Sequence, residues 1–243
     1  MTDPEASPEP TLVDDRSPPE LVVRDSGTVG FDDGCRHASS KTTIRSRTAN
    51  SGGVGRSKFE PRDLFGETQK SAEFRDGHRL TLSRRWADRQ VAAVIGCNPS
   101  LADAIQDDPT SRWWNWWFYQ AGFGGYDAVN LYPFCTSRPA DCRRMVERAW
   151  NGEWDLRDAI HFVNYPLVVE TAKKASRVFV CWGNIAWDDD WIEHVVEGIQ
   201  TGVAPYPDLW CWGTTKTGAP KHPMARGKHR MAKDEPAILW RSR

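Results

Sequence analysis

Past residue 90 the chain repeats one pattern: a short, dense apolar run, then a longer stretch of mixed polarity. The runs are VAAVIGC (91–97), YDAVNLY (126–132), RVFVCWG (177–183) and DLWCWGTT (208–215). Each is rich in β-branched or aromatic residues and ends at Gly, Asn or Thr, which predicts buried strands. The stretches between them predict helices at 109–120, 139–149, 155–174 and 187–200. Asp107 or Asp108 is placed to cap the first, Pro166 should break the third, and acids open the fourth. Before them, Glu73 to Trp86 alternates around Asp76-Gly77, a hairpin signal. Strands alternating with helices predict an α/β fold: a three-layer sandwich with a central four-stranded, mostly parallel sheet, preceded by a β-hairpin. Ligands of such sheets sit beyond the carboxyl ends of the strands.

The pattern is missing from the start of the chain. Residues 1–33 hold nine acids and two bases, and residues 34–57 hold five bases and no acid. All 13 tryptophans lie at or after Trp86. A segment so poor in large apolar side chains cannot offset its ordering entropy, so 1–57 is expected to be a disordered or loosely ordered tail and 58–243 the folded domain. Setting the first 33 residues aside leaves 30 bases against 24 acids, and Lys216 to Arg243 alone carries eight bases and two acids. Such a patch suits a phosphate-bearing partner, with a solvated surface as the plain alternative.

No apolar run approaches ~18 residues, and mean hydropathy is −0.63, so no membrane span is expected. The first residues lack the basic and apolar regions of a secretory signal. Six irregularly spaced cysteines without a CxxC pair suggest neither a disulfide scaffold nor a zinc site. The reading is a cytoplasmic protein with reduced thiols, acting as a monomer and needing no metal or other cofactor.

The strand ends carry the chemistry. The first is followed by Gly96-Cys97-Asn98-Pro99-Ser100-Leu101-Ala102-Asp103. Asn98 could hold a water or a polar substrate edge, or could simply form an Asx-turn. The second ends Asn130-Leu131-Tyr132-Pro133-Phe134. An Asn amide sets a donor beside an acceptor and suits a base's Watson–Crick edge, with Tyr132 and Phe134 able to stack on the base. The alternative is a strand-end cap above two core aromatics. The third leads through Trp182-Gly183 to Asn184, a structural turn whose Asn could contact ligand. After the fourth comes a Gly/Pro-rich basic loop holding Lys216, Lys221, His222, Pro223, Met224 and Arg226, with Lys228 and Arg230 just beyond. His222 could donate a hydrogen bond to developing negative charge or act as a base. Met224 and Arg226 could serve as a wedge and a minor-groove probe.

In this order the motifs resemble the uracil-DNA glycosylase superfamily over about residues 90–230. Gly96-Cys97-Asn98-Pro99-Ser100-Leu101 is similar to the Gly-Ile-Asn-Pro-Gly-Leu turn of its mismatch-specific branch. Asn130 matches the Asn that reads the flipped base, Trp182-Gly183 the strand that ends in that pair, and His222-Pro223-Met224, in part, the His-Pro-Ser that opens the intercalating loop. Met224 stands where that family has Ser, and Ser100 where it has Gly. Asp107-Asp108-Pro109-Thr110 and Gly218-Ala219-Pro220-Lys221-His222-Pro223 also resemble a bacterial family of unknown function. The resemblance implies a monofunctional DNA glycosylase. It would hydrolyse the N-glycosidic bond of a flipped-out modified pyrimidine, in DNA repair or antiviral defence, and leave an abasic site. Asn98 would hold the water, Asp103 or Asp108 would activate it or steady the sugar cation, Asn130 would read the base, and His222 would steady the departing base. Gly96, Cys97, Pro99 and Ser100 would line the pocket. The helical cluster Trp113-Trp114-Asn115-Trp116-Trp117 cannot bury all four rings on one face, so Trp113 and Trp117 are candidates for an aromatic wall against a bulky, hypermodified base, or else core. Outside this class stand a non-catalytic nucleic-acid-binding module and a protein that binds or hydrolyses free nucleotides.

Overall fold

The computed structural model describes residues 68–243. The tail expected at 1–57 and the first ten residues of the expected domain lie outside the described residues.

β1 (Gln69–Arg75) and β2 (His78–Arg85) form the expected hairpin. Asp76 and Gly77 both have positive φ, 51° and 79°. That conformation gives a two-residue hairpin turn the twist of its strands, and Gly adopts it without strain. The pairing Glu73↔Thr81 followed by Phe74↔Arg79 leaves Leu80 as an extra residue. This bulge reverses the in–out alternation before it.

β3 (Val91–Gly96), β4 (Gly125–Asn130), β5 (Arg177–Val180) and β6 (Leu209–Cys211) are the four strands predicted, and they pair in parallel in the order β4-β3-β5-β6. The sheet is larger than expected. The hairpin does not stand apart, because β2 pairs antiparallel with β4, and β7 (Ile238–Arg241) pairs antiparallel with β6. The result is a mixed α/β fold on one seven-stranded sheet, ordered β1-β2-β4-β3-β5-β6-β7.

Alternation along the strands divides the core. Ala93, Ile95, Val129, Val178 and Val180 pack into one apolar cluster, and Ala92, Val94, Ala128 and Phe179 into another. Residues i and i+1 of a strand point to opposite faces, so the clusters occupy the two sides of the sheet. The first is covered by α2 (Pro139–Trp150), α3 (Trp154–Asp158), α4 (Tyr165–Lys174) and α5 (Asp189–Gln200). The second is covered by α1 (Pro109–Gln120), which supplies Trp113, Trp114, Trp117 and Phe118.

Local chemistry sets the helix limits. Asp108, not Asp107, caps α1: its Oδ1 accepts from Ser111 N at 2.7 Å, with Pro109 in the first turn. Asp188 caps α5 through Trp191 N at 3.0 Å. The helix expected at 155–174 is interrupted by a π-helical stretch, Ala159–Asn164. Pro166 cannot donate to the carbonyl four residues back, and the wider turn ahead of it accommodates that loss.

Candidate functional site

Gly96, Asn98, Asn130 and Asn184 lie at or just after the carboxyl ends of β3, β4 and β5, and His222 lies on the loop after β6. A Cβ on Gly96 would lie 2.8 Å from Asn130 Oδ1, so the glycine is what lets the Asn130 amide fold against β3. Asn130 is buried and its Nδ2 has no hydrogen-bond partner among the described residues. Its main chain is fixed from below, where Asn164 Nδ2 of the π-helical stretch donates to Asn130 O at 2.9 Å and Leu131 O at 3.2 Å. An unpaired buried amide costs about 1–3 kcal/mol, which a ligand acceptor would recover.

Asn98 ties the two loops together. Its Nδ2 donates to Thr136 O at 2.8 Å, Pro99 O at 3.0 Å and, more weakly, Phe134 O at 3.4 Å. The structural alternative therefore holds for its nitrogen, while Oδ1 accepts nothing among the described residues. Pro99 is buried and Ser100 half-buried beside it. Burial pushes the Cys97 thiol well up, so it is a neutral wall of the site and not a nucleophile.

His222 is held by three neighbouring turns. Gly183 N donates to Pro220 O at 2.8 Å, and Lys221 N to Gly213 O at 2.9 Å. Asn184 Oδ1 accepts from the hydroxyls of Thr215 at 2.7 Å and Thr217 at 3.1 Å. Gly183 has φ +63°, and a Cβ there would approach His222 Cβ to 3.3 Å. Asn184 is thus a brace of the loop. Met224 N donates to His222 Nδ1 at 3.1 Å. Burial lowers the pKa of His222 to about 4, against the opposing pull of the Asp108 carboxylate. The imidazole is therefore neutral at pH 7, and because Nδ1 is an acceptor its proton sits on Nε2. His222 is a preformed neutral donor.

The two candidate carboxylates differ. Asp103 Oδ1 accepts from Ile105 N and Gln106 N, both at 2.7 Å, and these bonds hold its pKa below the usual range. It shapes its own loop. Asp108 is the one whose charge reaches His222.

The aromatic residues are placed differently from the expectation. Tyr132 and Phe134 are fully buried. Tyr132 stacks on Trp187 at 5.5 Å, and Phe134 meets the His78 ring edge-on at 5.1 Å. Trp113 and Trp117 also lie in the core, 4.9 and 5.1 Å from Trp212. None of the four offers an open face, because each lies on the side of its element that packs. Trp116 alone of the α1 cluster is half-buried, under the Lys233 ammonium at 4.5 Å. Lys216, Met224, Arg226, Lys228 and Arg230 are exposed, and Lys221 is half-buried along Gly213. None of these five cations forms an ion pair among the described residues. A cleft of about 320 Å³ lies between the β1–β2 turn and the π-helical stretch, lined by Arg75, His78, Asp155 and Asp158, and it touches none of the expected site residues.

Two buried arginines on β2 escaped the sequence reading. Arg84 is fully buried; it donates Nε to Asp107 Oδ1 at 2.8 Å and Nη2 to Asp103 O at 2.7 Å. Lys70 and Asn115 also hold Asp107. Burial would raise the pKa of that carboxyl, but Lys70 and Arg84 overcome it and lower it. Arg79 is 3 % exposed, donates Nη1 to Ala102 O at 2.6 Å, and has no partner for Nε among the described residues. The only signal for them was a run of charge inside a hairpin strand.

Among the described residues no group of three or more His, Cys, Asp or Glu could hold a metal ion, and no helix is long and apolar enough to cross a membrane. Residues 79–224 match the model of a family described as "Protein of unknown function (DUF1643)". No curated protein and no solved structure matches the chain.

Proposed function

We propose that this chain, which belongs to the DUF1643 family of proteins of unknown function, is a monofunctional DNA glycosylase acting on a modified pyrimidine. The observation that carries the reading is His222. A neutral Nε2–H donor is fixed at one end of the sheet edge that also holds Asn130 with its amide nitrogen unpaired. The reading also draws on the resemblance of the strand-end motifs to the uracil-DNA glycosylase superfamily, and on the helix layers on both faces of the parallel strands.

Excision requires the base to leave the stack. Asn130 Nδ2 donates to an acceptor on its edge. A water on Asn98 Oδ1 attacks C1′ while the bond from C1′ to the base nitrogen breaks. The bonding pair leaves with the base, and His222 Nε2–H stabilises the resulting anion. Asp108 receives the proton released by the water. Asp103, engaged by two backbone amides, is the weaker choice. Lys216, Lys221, Arg226, Lys228 and Arg230 face phosphates, with Met224 as the wedge. The protein acts on DNA as a cytoplasmic monomer, in repair or in defence against modified phage DNA. Because Trp113 and Trp117 are core residues, any preference for a bulky base has to come from the loops.

The test incubates the protein with DNAs bearing a panel of modified bases, then measures released base by mass spectrometry and strand cleavage after alkali. Release that is lost in His222→Ala, with folding intact, is the expected result. No release from any substrate would sink the reading, and salt-sensitive binding without release would identify a binding module.

A further inference from the structure

Among the described residues Arg79 is a buried cation without a counterion. Its side chain makes one hydrogen bond among the described residues, to a neutral carbonyl, and its Nε makes none. No carboxylate lies within ion-pair distance of it among those residues. Isolated charges are not left so in a protein interior, because the desolvation penalty is several kcal/mol per ion. Five residues along the same strand, Arg84 meets that requirement in full with Asp107. The difference is not a shortage of acids nearby, since the charge of Asp108 is felt at Arg79. The Asp108 Oδ1 is instead turned to the α1 N-terminus.

Position says what completes Arg79. The register Leu82↔Ala128 continues to place Arg79 level with the end of β4, at the edge that holds Asn130. The bulge at Leu80 brings Arg79 to the face that carries Leu82 and Arg84. The loop held to it by Ala102 O carries Leu101 and Ile105 outward, 75 % and 66 % exposed. The exposed Cys135 thiol, from the β4 exit, lies within electrostatic reach. Arg79 thus sits under the two loops that close this edge.

We propose that Arg79 is the anion receptor of the site, and that its ligand is a phosphate group of the bound nucleotide. The guanidinium fork matches two phosphate oxygens. The identity of the anion rests on the nucleotide reading of this edge, but the proposal does not require base excision.

Thermal melting of the full chain tests it, with inorganic phosphate, dCMP, deoxycytidine or 5-carboxydeoxycytidine added at ionic strength fixed by sodium chloride. Phosphate and dCMP are expected to raise the wild-type Tm, and the two nucleosides are not. Arg79→Met should weaken phosphate binding roughly tenfold or more. Arg79→Lys, which keeps the charge and loses the fork, should fall between. Without ligand, Arg79→Met should melt at or above wild type, the reverse of a structural arginine. The proposal is overturned by phosphate that stabilises neither protein or both equally, by a shift with the carboxylated nucleoside alone, or by Arg79→Met melting well below wild type. Base release from the same preparations separates the readings. Phosphate binding at Arg79 without release removes only the glycosylase, and release unaffected in Arg79→Met removes only the receptor.

Discussion

The Arg84–Asp107 network and the carboxyl edge of the sheet are both polar, both buried, and built from the same few strands. In the network, every strong charge has a partner: Arg84 and Lys70 meet Asp107, and Asn115 supports it. At the edge, Arg79 Nε and Asn130 Nδ2 have none among the described residues. Folding alone explains the first region. The second carries unmatched hydrogen-bonding groups of the kind that a well-packed interior avoids.

Substitutions should separate the two. Arg84→Met should cost about 3–5 kcal/mol of unfolding free energy in urea, because Asp107 loses its buried partner. If it proves as mild as Arg79→Met, the contrast collapses. His222→Ala should leave stability nearly unchanged but lower the rate of base release by about 10²–10³, or ~2.7–4 kcal/mol, in single-turnover assays. A comparable loss of stability would return His222 to the structural region.

Acid should distinguish them by range. His222 has a depressed folded pKa of about 4, so its unfolded state binds the extra proton. Its contribution to stability is present above the ordinary histidine range and is lost as pH falls toward 4. Asp107, whose folded pKa is also lowered, contributes above the ordinary carboxylate range and loses that contribution only at still lower pH. Urea midpoints followed downward from pH 7 should show the first decline vanish in His222→Gln and the second in Asp107→Asn. The smallest effect expected is at Trp240, whose Nε1 donates to Gly218 O at 3.0 Å. Trp240→Phe should cost about 1 kcal/mol while measurably slowing base release.

The fold was legible where side chains repeat. The Asp76-Gly77 turn, the four apolar runs and the caps of α1 and α5 all declared themselves through local chemistry. β7 did not, because Ile238–Arg241 is four residues long and sits in a basic stretch that reads as surface. The residues at the sheet edge could be placed because Gly96 and Asn130 close two of the apolar runs and Asn98 and His222 come after runs. Arg79 was hidden by a bulge that no composition reveals, and a charge in a hairpin strand reads as solvent-facing. The opposite error befell Tyr132, Phe134, Trp113 and Trp117. A ring near a strand end or on a crowded helix turn can point either way, and tertiary packing turned all four inward.

The brace at Trp240 has a consequence for inheritance. The segment matched to the family ends at Met224, whereas the strut beneath the His222 loop comes from β7, fourteen residues later. Arg241 fastens that strand to Glu193 with two bonds of 2.9 Å. The His222 loop and its support therefore sit on different sides of the end of the family match. Grafting 79–224 into another scaffold would carry over the His222 loop without its mount, and a chimera should hold that loop in place only when a strand equivalent to β7 comes with it.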